Sequence, residues 1–185
     1  MRNGKPNRLK GYDYSQNGMY FVTVCIHNRI EWFGNIKNGK MVLNECGEIV
    51  EKQWAWLGDQ YPYVVLDEQV VMPNHFHGMI SIVGNGRMDG CVVGDGRDRS
   101  LQKIKPLPEL IGAFKTTSSK LIHGTGALQF HWQKSFYDHV IRSAKSLESI
   151  RQYIANNPMK WDMDIENIRN FGIDNVAYYS SIIKA

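Results

Sequence analysis

The run Val70-Val71-Met72-Pro73-Asn74-His75-Phe76-His77-Gly78-Met79-Ile80-Ser81-Ile82 decides how this 185-residue chain is read. Side chains alternate between the two faces of a strand, so His75 and His77 project together while Phe76 turns into a core. The apolar residues that follow continue a buried strand through residue 83, and Pro73-Asn74 marks a turn from an earlier strand run over 63–71. Two imidazoles on one face are half of a metal site. The same spacing also suits two hydrogen-bonded, half-buried histidines in a chain with six of them. The pair needs a partner before it means more.

Working outward toward the N-terminus, Tyr20-Phe21-Val22-Thr23-Val24-Cys25-Ile26 is β-branched and aromatic and reads as a central strand. Asn38-Gly39 between short apolar pieces predicts a hairpin. Ile49, Val50, Gln53, Trp54 and Leu57 fall near one stripe, which predicts a helix stopped by Gly58. Residues 1–18 carry Arg2, Lys5, Arg8 and Lys10 and read as a basic arm or a solvated leader. Toward the C-terminus, residues 84–100 are glycine-rich and of balanced charge, a loop or insertion with no assigned chemistry. Pro106-Leu107-Pro108 opens a helix through Leu121 and Ile122. Its polar side carries Lys115, Thr116, Ser118, Ser119 and Lys120, which suits phosphate contacts as well as it suits a solvated face. The aromatic and basic run 130–142 predicts a fourth strand beside a nucleic-acid path. Ser146 is read as the N-cap of a last helix, striped by Leu147, Ile150 and Ile154 and ended by Pro158.

Strand-helix-strand-strand-helix-strand is the ferredoxin-like order. The expected class is α+β, an antiparallel sheet with helices on one face and an additional C-terminal helix over the sheet. Residues 1–160 form the domain, with 84–100 inserted, and 161–185 pack as a tail on the domain or on a partner. A hydrophobic content of 43% fits a folded chain, and a net charge of +4 permits a polyanionic partner without requiring one. Cys25, Cys46 and Cys91 are widely spaced and odd in number, so they read as reduced packing residues. No apolar run approaches membrane-spanning length, and no signal-like core follows the N-terminus. The expectation is a soluble protein with no membrane partner.

A partner for the histidines is to be sought on the last helix. There Ser149, Tyr153 and Asn157 lie four apart, beside the apolar stripe, offering a phenol and an amide oxygen one turn apart. Tyrosine packing and an asparagine C-cap are the plain alternatives. The segments 8–14, 20–24, Met72-Pro73-Asn74-His75-Phe76-His77-Gly78, Phe136-Tyr137-Asp138-His139-Val140-Ile141-Arg142 and Tyr153-Ile154-Ala155-Asn156-Asn157-Pro158 together resemble the single-tyrosine HUH transposases, and within them the REP-associated tyrosine transposases. The resemblance runs in family order to about residue 160.

It implies that His75 and His77 are metal ligands, with Asn157 as a third, amide-bearing one, and that Tyr153 is the nucleophile. It implies a divalent cofactor, Mg²⁺ or Mn²⁺, and cleavage and joining of single-stranded DNA beside hairpins through a 5′-phosphotyrosine. Tyr137 competes for the nucleophile's role but lacks the Tyr-x-x-x-Asn pairing. Lys115, Trp132, Lys134, Asp138, His139 and Arg142 are the candidates for contacting the DNA. A bacterial, cytoplasmic, nucleoid-associated protein acting as monomer or homodimer follows from the same resemblance. The runner-up is a non-catalytic nucleic-acid-binding module of the same fold. A hydrolase using the two histidines alone would need carboxylate ligands that the sequence does not place.

Overall fold

A computed structural model describes residues 11–84, 103–170 and 178–179. The basic arm, most of the glycine-rich insertion and much of the tail lie outside them. Among the described residues, six strands and three α-helices follow one another: β1 (Gly18–Cys25), β2 (Gly34–Lys37), β3 (Lys40–Leu43), α1 (Glu45–Gln60), β4 (Val64–Met72), β5 (His75–Ile82), α2 (Leu107–Gly124), β6 (Tyr137–Ile141) and α3 (Ala144–Asn156). The main sheet runs β4-β5-β1-β6, antiparallel throughout, which is the ferredoxin-like arrangement with the histidine strand inside. The fold is α+β, as the pattern predicts. Strands β2 and β3 form the predicted hairpin, and Asn38 and Gly39 both take positive φ (51° and 70°), as a two-residue primed turn requires.

The two faces of the sheet have separate cores. On one, Tyr20, Val22, Val24, Phe76 and Ile80 pack beneath α1 and α2, with Trp54 of α1 and Phe114 of α2 closing on Phe76 (ring centroids 4.7 and 5.3 Å). On the other, Phe21 and Met79 meet Ile150 and Ile154 of α3, together with Ile165 and Tyr179. The extra helix therefore covers the face opposite α1 and α2. Register fixes which residues look toward it: Thr23 pairs with His77 and Cys25 with His75, so both histidines point to the α3 side.

Several local expectations are corrected. The first helix runs to Gln60, past Gly58; that glycine sits in ordinary helix with the Leu66 side chain 3.5 Å from where a Cβ would lie, so it is no stop. Asn44 caps the helix, its side chain accepting from the Gly47 amide. Ser143, not Ser146, caps α3: its hydroxyl accepts from the Ser146 amide, and Ser146 is buried in the first turn. The strand predicted within 130–142 is confined to Tyr137–Ile141, with an isolated bridge from Ile26 to Trp132 before it. Cys25 and Cys46 are free thiols, as expected; Cys91 lies outside the described residues.

Candidate active site

The strand alternation that lines up His75 and His77 brings their Nε2 atoms to 2.9 Å from each other, with both rings fully buried. Their outer nitrogens are held by the sheet. Asn74 turns its carbonyl oxygen to His75 Nδ1 at 2.9 Å while its amide group donates to the backbone carbonyls of Arg29 and Glu166. Those two carbonyls fix the amide's orientation, so His75 Nδ1 must carry the proton and its Nε2 is a bare lone pair. Thr23 Oγ1 meets His77 Nδ1 at 2.8 Å and can hold that ring in the same tautomer. Burial and the Arg29 charge lower His75 to about 3, and burial with His75 lowers His77 well below its ordinary value. Both imidazoles are neutral at physiological pH, the form a metal requires.

Helix α3 delivers the phenol. Ile150 and Ile154 anchor it in the lower core, and the rotation they set leaves Tyr153 Oη 3.2 Å from His77 Nε2. Tyr153 is pushed well above the ordinary phenol range by burial, Asp164 and Tyr178, while hydrogen bonding to the Asn157 side chain pulls the other way. Asn157 is buried and its Oδ1 has no hydrogen-bond partner. A buried amide oxygen without a hydrogen-bond partner, at the end of the helix that carries Tyr153, is of the donor type that suits a divalent ion.

One residue of the site escapes the sequence reading. Asp164 follows the 3₁₀ segment Pro158–Met163 and is buried, with Tyr153 Oη 3.5 Å from its Oδ2. One ligand atom from each of His75, His77 and Asp164 lies within 4.8 Å of the others, a group that could hold a metal ion. The only hint in the sequence is the alternation Asp162-Met163-Asp164-Ile165-Glu166, which resembles any solvated acidic stretch. The cover over the site also comes from this region: the Trp161 ring lies 6.0 Å from that of His75, and Tyr179 stacks on Tyr137 at 4.5 Å.

The candidates for DNA contact divide. Lys134 and Arg142 are exposed, and His139 is half-buried on the α3 face of β6. Lys115 gives its ammonium to the carbonyls of Gln133 and Lys134, which ties α2 to that segment and leaves less for a phosphate. Trp132 is only 9% exposed, packed among Phe33, Phe114 and Phe130 with its indole N–H on Ser118. Asp138, paired with Val22, points to the α1/α2 side and accepts from the Tyr14 hydroxyl at 2.6 Å. The polar strip of α2 borders a cleft of about 560 Å³ whose lining includes Lys115, Ser119, Lys120, His123, His131 and Trp132.

No protein-family model matches the chain. An uncharacterized protein of Haemophilus influenzae is 35% identical over 160 residues, covering 85% of this chain and 89% of that protein. The chain belongs to that protein's family. Among solved structures, a REP-associated tyrosine transposase bound to a REP hairpin is similar with a TM-score of 0.54 and 19% identity, over 83% of this chain and 73% of the other. That likeness establishes a shared fold. Among the described residues no helix is long and apolar enough to cross a membrane.

Proposed function

We propose that this protein is a metal-dependent single-strand DNA endonuclease and strand transferase of the transposase type, acting beside hairpins of repetitive palindromic elements. The observation that carries the reading is the Tyr153 phenol 3.2 Å from His77 Nε2, on a face where both histidines turn their Nε2 atoms inward. Packing alone does not need a hydroxyl aimed at an imidazole pair, and a plain binding module has no use for one.

Tyr153 Oη attacks the phosphorus of a phosphodiester. The P–O3′ bond breaks, the phenol proton leaves to water, and the departing 3′ oxygen gains a proton. The products are a 5′-phosphotyrosine and a free 3′-hydroxyl, which can attack the same phosphorus to rejoin a strand. The bond energy is kept, so no nucleotide triphosphate is consumed. His75, His77 and an oxygen ligand, Asn157 in the family pattern, would hold Mg²⁺ or Mn²⁺, which would supply Lewis-acid polarisation of the phosphate. The protein's own contribution is positional. Asn74 and Thr23 hold the imidazoles, the stripe of α3 holds the phenol's height, and the Asn157 side chain favours the phenolate. A buried phenol is a weak nucleophile, and that opposing influence is what makes Asn157 useful beyond ligation.

Lys134, His139 and Arg142 belong to the DNA path, together with the cleft along α2. The deciding experiment is incubation with a labelled single-stranded oligonucleotide carrying a hairpin and Mn²⁺, then denaturing electrophoresis. Wild type gives a slow-migrating protein–DNA adduct, Tyr153→Phe gives none, and Tyr137→Phe still forms it. An adduct that survives Tyr153→Phe overturns the assignment, and no adduct with any hairpin substrate favours the non-catalytic binding module.

A further inference from the structure

We infer that the anionic ligand of the metal is Asp164, supplied by the segment after α3, and that it contributes more to holding the ion than Asn157 does. This rests on the metal-dependent reading above and deepens it.

The argument is one of paired atoms. Each of three buried side chains has two potential ligand atoms, and in each one atom is engaged outward. His75 Nδ1 is held by Asn74, His77 Nδ1 by Thr23, and Asp164 Oδ1 by the Glu166 backbone N–H at 2.6 Å. The inward atoms are His75 Nε2, His77 Nε2 and Asp164 Oδ2. Tyr153 Oη, 3.2 Å from the second and 3.5 Å from the third, sits beside them. Outer contacts that fix ligand orientation while leaving inner lone pairs convergent are the usual surroundings of a metal site.

Charge argues the same way. A divalent ion bound only by two neutral imidazoles and a neutral amide would bring two unbalanced charges into a fully buried pocket. A carboxylate halves that imbalance, and a hard oxygen anion suits Mg²⁺ and Mn²⁺. The segment that brings Asp164 is fastened on both sides. Arg29, held in a left-handed conformation (φ 55°), donates to the Ile165 carbonyl at 2.8 Å and pairs with Glu166 at 3.2 Å. Asn74 joins the two halves of the site directly, since its amide donates to the Glu166 carbonyl while its oxygen holds His75. Ion binding and the seating of 164–166 are therefore one event.

The test is Mn²⁺ binding to the full chain, free of DNA, followed by calorimetry and by loss of the free-ion electron paramagnetic resonance signal. Wild type, Asp164→Asn, Asn157→Ala and His77→Ala are compared, each with its thermal midpoint without metal to show that it is folded. Asp164→Asn, which keeps shape and removes charge, is expected to weaken Mn²⁺ at least tenfold, and Asn157→Ala by no more than about threefold. Hydrogen exchange of 160–170 should slow on adding Mn²⁺ in wild type but not in Asp164→Asn. Asp164→Asn binding as tightly as wild type, with His77→Ala weakened, overturns the inference and leaves the metal reading standing. His77→Ala binding as tightly as wild type overturns both. Should Asp164→Asn not fold, Asp164→Glu replaces it: a ligand must lose affinity when lengthened, and unchanged binding overturns the role.

Discussion

Gly78 carries more of the site than its size suggests. A Cβ there would lie 2.7 Å from both a Phe76 ring carbon and Trp54 Cζ2, closer than side chains tolerate. Both rings are fully buried between the sheet and α1, so neither can swing away. Gly78→Ala is expected to lose ~1–3 kcal/mol of stability by overpacking, measured by denaturant unfolding. The displaced strand should also shift His77, so Mn²⁺ affinity falls with it; an unchanged unfolding midpoint would show that the strand yields freely. At this scale the sequence is readable where period and chemistry coincide. His75, Phe76 and His77 declare their faces by strand alternation, and Tyr153 and Asn157 by helical spacing. Asp164 declares nothing, because a 3₁₀ segment and a turn carry no long period, and Arg29 and Asn74, which fasten its neighbours Ile165 and Glu166, lie far away in the chain. The burial of Trp132 and Asp138 is illegible for a related reason: aromatic and charged residues near a strand look alike whether they face solvent or a core.

Among the elements, α3 depends on few attachments. Its apolar side packs on Phe21 and Met79, and its outer side is pinned to β4 by Arg151 and Asp67, with Nη2 2.6 Å and Nε 3.0 Å from the carboxylate oxygens. The Arg151 hydrogen bonds hold Asp67 below its ordinary 3.8. A carboxyl with a depressed folded value gives its full stabilisation above the unfolded value and loses it as pH falls through the folded one. The pair is partly exposed, so after screening it contributes ~0.5 kcal/mol. Wild type should exceed Asp67→Asn in stability at pH 7 in low salt, and the gap should close below about pH 4 or in 1 M salt. A gap that widens in acid would refute the pairing. Legibility at this scale is high for element type and lower for ends. The hairpin, the strands and all three helices follow from pattern, whereas Gly58 and Ser146 misplace two boundaries. Helix packing overrode the glycine, and a serine three residues earlier took the cap.

For the molecule as a whole, the ferredoxin-like order was readable from the succession of elements, but the side on which α3 lies was not. An amphipathic stripe says that a helix is covered, not by which face of a sheet. The result is a layered protein with α1 and α2 on one face of the sheet and α3 with the candidate chemistry on the other. If the α2 cleft and the Arg142 edge both follow a DNA backbone, Lys120→Gln and Arg142→Gln should each weaken hairpin binding and lower the slope of log affinity against log salt by about 1. Lys115→Gln should cost stability more than slope, because its ammonium is spent on two carbonyls; equal slopes for all three variants and wild type would return these residues to bare surface. The site's scattered origin has a consequence during synthesis. Tyr153 lies 76 residues after His77, so at roughly 5–20 residues per second the histidine pair leaves the ribosome about 4–15 s before the phenol does. A half-made chain can pair β1, β4 and β5 and align its imidazoles, yet β6, α3 and the proposed nucleophile are still to be made.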